Sequence, residues 1–308
     1  MRTADPRATL PRRALLAAAL LLPGIAAAQD PAVESSERLR GRRLSVPVFI
    51  GERGPFAFAL DSAANASVIS DDLAASLGLE SAGPIGMHTL IAREVVETVR
   101  APEVRSGNLH AREVRFAIAS RFGLDGADGL IGRDLLTDHR LVLRFRGQAL
   151  AAITRSRRPG GGMFDPAPQT ARFQADAEER HRGLLMIDVR SGEASGKAIV
   201  DTGAAITIVN TAFAEAAGAA PITLDDGARV ARVTSPTGLS VTAIPMRLRR
   251  LHFAGVSLRE TPVLVGDFHT FDIWGLSDRP AMLLGTDVLG QFQTVIIDLK
   301  RGELLLEP

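Results

Sequence analysis

The chain has 308 residues, of which 46% are hydrophobic, enough apolar material for one large core or two of roughly 100–150 residues each. Its formal charge is +1, but the first 28 residues hold four arginines against one aspartate. The remainder, with 32 basic and 34 acidic groups, offers no electrostatic case for a nucleic-acid partner or a basic membrane-surface patch. The absence of cysteine excludes disulfides, thiolate metal sites and a lipidated N-terminal cysteine, so stability must come from packing.

In chain order, Arg2, Arg7, Arg12 and Arg13 precede an apolar run from Ala14 to Leu22, which leads to Ala26-Ala27-Ala28. This is the pattern of a signal peptide over residues 1–28, cut after Ala28. The run is shorter than the about 20 apolar residues that span a bilayer, and no later stretch approaches that length. The expectation is an exported protein, periplasmic or secreted, with no integral membrane segment once the leader is removed. Arg12-Arg13 also leaves a twin-arginine route open.

Beyond the leader the chain repeats itself. A shift of 140 positions aligns Leu44–Gly78 with Leu184–Gly218 without a gap. FAFALDSAANASVIS runs into DDLAASLG in the first copy, and GKAIVDTGAAITIVN into TAFAEAAG in the second. Each reads as an apolar strand, an acidic turn, a second strand and a short helix, with Ser70 and Asn210 suited to the helix starts and Gly78 and Gly218 to the stops. A second pair, LIGRDLLTDHRLVLRF from Leu130 and LLGTDVLGQFQTVIID from Leu283, is offset by 153. The 13 extra residues of the second half fall around Gly266–Ala281, a stretch of turn-forming composition that holds the only tryptophan, Trp274, read as a loop anchor. VVETVRAPEV and ARVARVTSPTGLSVTAI alternate as strands do, with Ser235–Gly238 as a hairpin tip. Residues 154–182, rich in Arg, Gly and Pro, read as an exposed connector between a first lobe at 29–153 and a second at 183–308. The RSRR run inside it reads as solvated charge.

The residues that carry chemistry are Asp61-Ser62-Ala63 and Asp201-Thr202-Gly203, each after an apolar strand and each with its distal partner of two apolar residues and a glycine. With these motifs in both halves, the sequence resembles the pepsin and retropepsin superfamily of aspartic proteases from about Leu44 to the C-terminus. Ala64 and Ala204, which follow the two triplets, are closer to the retropepsin branch. The resemblance implies an all-β, two-lobed pepsin-like fold with pseudo-twofold symmetry and short helices, and a cleft between the lobes. It also implies Asp61 and Asp201 as the catalytic pair, with the Ser62 and Thr202 hydroxyls bonded to the opposite loop. Carboxyl groups about 3 Å apart share a proton, so one can take a proton from water while the other donates to the carbonyl oxygen.

The implied function is an aspartic endopeptidase, acting as a monomer on a peptide or protein substrate, without metal or organic cofactor. Ala63 stands where the family has glycine, and the chain has no tyrosine for a pepsin-like flap. Ala63 is the feature that favours the other reading, a catalytically inactive peptide- or ligand-binding protein of the cell envelope. Other chemistries lack their motifs: there is no HExxH, GxSxG or GxGxxG, and the six histidines are scattered. Asp134 and Asp287, which recur after the LIG and LLG glycines, read as helix-start residues.

Overall fold

The computed structural model describes residues 44–147, 149–156, 172–174, 183–224 and 227–308. The leader and most of the connector lie outside these residues. Among the described residues no helix is long and apolar enough to cross a membrane.

The first half contributes β1 (Ser45–Ile50), β2 (Arg53–Leu60), β3 (Val68–Ser70), β4 (Glu80–Ser81), β5 (Ile85–His88), β6 (Arg93–Val96), β7 (Thr98–Ser106), β8 (Leu109–Ala119) and β9 (Gly129–Ile131). Alternation does the sorting: along β1, Val46, Val48 and Ile50 are buried while Ser45 and Pro47 face out. The sheet runs β1-β2-β9-β3-β8-β7, and β7 pairs back onto β1, closing a barrel with β4 on its flank. β5 and β6 form a separate hairpin.

β10 (His139–Arg144) and β11 (Leu150–Arg155) leave this barrel, and β12 (Arg172–Gln174) lies within the stretch read as a connector. The second half supplies β13 (Met186–Ser191), β14 (Ala194–Val200), β15 (Ile208–Val209), β16 (Ala220–Pro221), β17 (Ala231–Thr234), β18 (Ser240–Phe253), β19 (Val256–Val265), β20 (Ala281–Leu284), β21 (Thr294–Asp298) and β22 (Glu303–Glu307). Its barrel, β13-β14-β20-β15-β19-β18 closed by β13 on β18, repeats the first strand for strand. In both, the strand leading to the acidic turn is flanked by a parallel partner, β2 by β9 and β14 by β20. A five-stranded sheet, β11-β10-β21-β22-β12, draws strands from both halves and ties the lobes together.

The short helices start where the sequence says. Ser70 accepts from the Leu73 amide at the start of helix Asp71–Leu77, and Asn210 from the Phe213 amide at the start of helix Thr211–Ala216. Gly78 ends the first helix in the left-handed region. Ser235–Gly238 is the tip of the β17–β18 hairpin. The extra segment of the second half is more ordered than its composition suggests: it forms a helix, His269–Ile273, with Phe268 and Phe271 buried beneath it and Trp274 at its end.

Candidate active site

Each acidic loop is held at its start by the same backbone bond: the Asp61 amide donates to Ile131 O, and the Asp201 amide to Leu284 O, both at 3.0 Å. The carboxylates then turn back onto their own loops. Asp61 Oδ1 accepts from the Ala63 and Ala64 amides at 3.0 and 2.7 Å, and Asp201 Oδ1 from the Gly203 and Ala204 amides at 2.7 and 3.2 Å. Two amides on one oxygen fix the plane of each carboxylate.

The loops meet through an exchange of hydroxyls. Ser62 Oγ donates to Val200 O at 2.8 Å and accepts from the Thr202 amide at 3.0 Å. Thr202 Oγ1 donates to Leu60 O at 2.7 Å and accepts from the Ser62 amide at 3.1 Å. All four bonds are buried and none is local in sequence, so they are the joint that sets one loop against the other. The six residues expected at the site, Asp61, Ser62, Ala63, Asp201, Thr202 and Gly203, are thus brought together. The Asp61 carboxylate lies directly over Gly203: a Cβ built on that glycine would sit 2.7 Å from Asp61 Oδ1 and nearer still to Oδ2 and Cγ.

Ala63 fits its place. Its backbone is not in the left-handed region, so no glycine is needed there on conformational grounds. Its amide still reaches Asp61, and the residue packs against an apolar cluster of the second lobe together with Ala204 and Ile206.

Behind the loops lies a second pair of acids. Asp134 accepts from Ser67 Oγ at 2.8 Å, and Asp287 from Thr207 Oγ1 and the Thr207 amide at 2.6 and 3.0 Å. Both sit in the first turn of short helices, Arg133–Leu136 and Thr286–Leu289, as their sequence position indicated. Burial raises both carboxyls, that of Asp287 to about 6, against the opposing pull of the Thr207 bonds. They brace the loops. The Ser67 and Thr207 hydroxyls accept from the Gly132 and Gly285 amides, and the Ala64 and Ala204 carbonyls receive the Arg133 and Thr286 amides. Gly132 and Gly285 are glycines because the loop backbone passes too close for a Cβ, within 2.8 Å of Ala66 O and 2.7 Å of Ile206 C. Ser67 and Thr207 went unremarked in the sequence, although the 140-residue shift aligns them. Arg133 has no equivalent in the second half, where Thr286 stands. Burial lowers the basicity of its guanidinium, and the negative charges of Asp61 and Asp134 oppose that shift.

Two homologous barrels, one acidic loop per barrel and a buried hydroxyl exchange between them define a two-lobed, pepsin-like fold. The chain belongs to the aspartyl protease family: the model described as "Aspartyl protease" matches residues 46–135 and 187–288, one match per lobe and together more than half of the chain. No curated protein matches it.

Proposed function

We propose that the protein is an aspartic endopeptidase in which Asp61 and Asp201 activate one water between them for attack on a peptide bond held extended across the cleft. The observation that carries this reading is the reciprocal Ser62–Thr202 exchange, which joins the two acid-bearing loops of the separate lobes. One carboxylate takes the proton of the water while the other, protonated, donates to the carbonyl oxygen, and the roles reverse as the amine leaves. Export by cleavage after Ala28 and action as a monomer, both loops being on one chain, are part of the proposal.

The test is peptide-library cleavage by wild type, Asp61→Asn, Asp201→Asn and Ala63→Gly, each checked for folding by circular dichroism. Either Asn variant should lose nearly all activity, because one remaining carboxylate cannot serve as both base and acid. Ala63→Gly should retain activity, since the Ala63 amide bond to Asp61 is already formed. Silence of folded wild type and Ala63→Gly across pH 3–8, a range of roughly five units around carboxylate titration, would leave the binding-protein reading. N-terminal sequencing of the exported fraction should begin near Gln29; an intact Met1 would sink the export claim.

A further inference from the structure

The β5–β6 hairpin of the first lobe ends on the second lobe. Leu90 at its tip packs against the second-lobe cluster that Ala63 and Ala204 of the acidic loops also touch. The Thr270 amide of helix His269–Ile273 donates to Leu90 O at 3.3 Å. Beside that bond His88 Nδ1 lies 2.9 Å from His269 Nε2, with the rings 5.2 Å apart and 16° from parallel. The reciprocal hairpin, β17–β18, reaches back: Thr237 donates to Glu94 at 2.6 Å, and a Cβ on Gly123 would overlap the carbonyl of Pro236. Each hairpin therefore makes contact with the opposite lobe.

We propose that His88 and His269 form a proton-operated latch, which holds the first-lobe flap on the second lobe while the pair carries at most one proton and releases it when both rings are protonated. A hydrogen bond between two ring nitrogens needs one N–H and one lone pair. The neutral pair provides this, and so does a pair with one imidazolium, where the charged ring donates. A second proton removes the only acceptor and sets two like charges about one hydrogen bond apart.

The surroundings reinforce that repulsion. Arg93 is the cross-strand partner of His88 and adds positive charge. The charges that act on His88 are those of His269 and Arg93; Glu94 bonds to Thr89 and Thr237, Asp272 to Ser277 and Asp267 to Thr211. His88 is exposed; the slight desolvation it undergoes, then the His269 and Arg93 charges, hold it below the usual histidine range. Because the closed flap binds this proton less well than the open one, acidification through that range favours opening, by at most about tenfold per pH unit for one proton. Acid would thus open the flap of a site whose carboxyl dyad needs one proton to work, and this link alone rests on the peptidase reading.

The test is amide hydrogen exchange over residues 85–96 at pH 7.5 and 5.0, corrected for intrinsic rates, with Trp274 emission as a second readout. Trp274 is the only tryptophan and ends the helix that bears His269. Wild type should show flap opening that grows on acidification, and a matching emission change. His88→Gln, which can hydrogen-bond but not charge, should hold the flap at both pH values, while Glu94→Gln should keep the wild-type response. The same measurements on Asp201→Asn, which is expected to lack activity, should show the wild-type latch, so a silent enzyme would not affect the result. A pH-independent flap in folded wild type, or an undiminished response in His88→Gln, overturns the latch.

Discussion

Gly203→Ala is the most demanding test of the site because it adds a single methyl group. A Cβ at Gly203 would lie 2.7 Å from Asp61 Oδ1 and nearer still to Oδ2 and Cγ, whereas real Cβ atoms essentially never come within 3.0 Å of a neighbour. Either the Asp61 carboxylate or the Gly203 backbone must move by several tenths of an ångström. Asp61 cannot move freely, since the Ala63 and Ala64 amides hold it at 3.0 and 2.7 Å. Nor can Gly203, whose amide bonds Asp201 at 2.7 Å next to the buried Thr202. Misplacement of a catalytic group by about 1 Å can cost on the order of 100-fold in rate, and a methyl forced into a packed site about 1–3 kcal/mol of stability. The expected result is a loss of kcat/KM of about 10- to 100-fold, with an unfolding midpoint that falls but leaves the protein folded at 25 °C. Peptide cleavage and urea denaturation on the same preparation measure both. Activity within about twofold of wild type would show that the Asp61 carboxylate does not occupy the space above Gly203, and the geometry argued for the dyad would fall.

Thr202→Val strips Ser62 N and Leu60 O of their buried partner, and should destabilise by about 1–3 kcal/mol per orphaned group; a change in urea unfolding below about 0.5 kcal/mol would mean the cross-lobe exchange is slack. For Asp287 the folded carboxyl is raised, to about 6, so the folded state holds this proton more tightly than the unfolded chain. Its contribution is therefore unfavourable above about pH 6 and relieved as pH falls toward the unfolded value near 4. Asp287→Asn, compared with wild type by thermal unfolding between pH 7.5 and 4, should flatten that rise by on the order of 2–3 kcal/mol; identical pH dependence would refute it. Dilution should leave specific activity unchanged, because both loops lie on one chain, whereas a steep loss together with a dimer by light scattering would show the site to be shared between chains.

The acidic loops were legible because the repeat presents them twice. Asp61 and Asp201 align at a shift of 140, and so do their flanking strands and the helix caps Ser70 and Asn210. Local chemistry of this kind is written in short windows, and the structure reproduces it almost residue for residue. Barrel closure was not legible, since the β1–β7 and β13–β18 pairings join residues more than 50 apart by backbone bonds that any side chain permits. The helix His269–Ile273 was hidden for a different reason. It is one short turn-and-a-half inside a segment of Gly, Asp and Pro, stabilised by Phe268 and Phe271 packing into the second lobe rather than by propensity. The His88–His269 contact depends on that helix and spans 181 residues, so six scattered histidines gave no hint of it. β12 likewise is held by its pairing with β22, not by its own sequence.

A single chain with two copies of one lobe can let the copies differ, which a symmetric dimer cannot. The differences here collect around the dyad. Gly203 leaves room for the Asp61 carboxylate, while Ala63, at the matching place, packs into the second lobe. Arg133 puts a positive charge within electrostatic reach of Asp61, where the second half has Thr286. Asp201 is 7% exposed, and Asp61 is more open. The two carboxylates thus sit in different surroundings, Asp61 beside a cation and more open to solvent, Asp201 more enclosed. The flaps differ as well. Only the first carries a histidine against the other lobe, because the helix it meets lies in the insert that only the second half contains. Duplication supplied two like carboxylates, and the divergence of the halves has given them different surroundings.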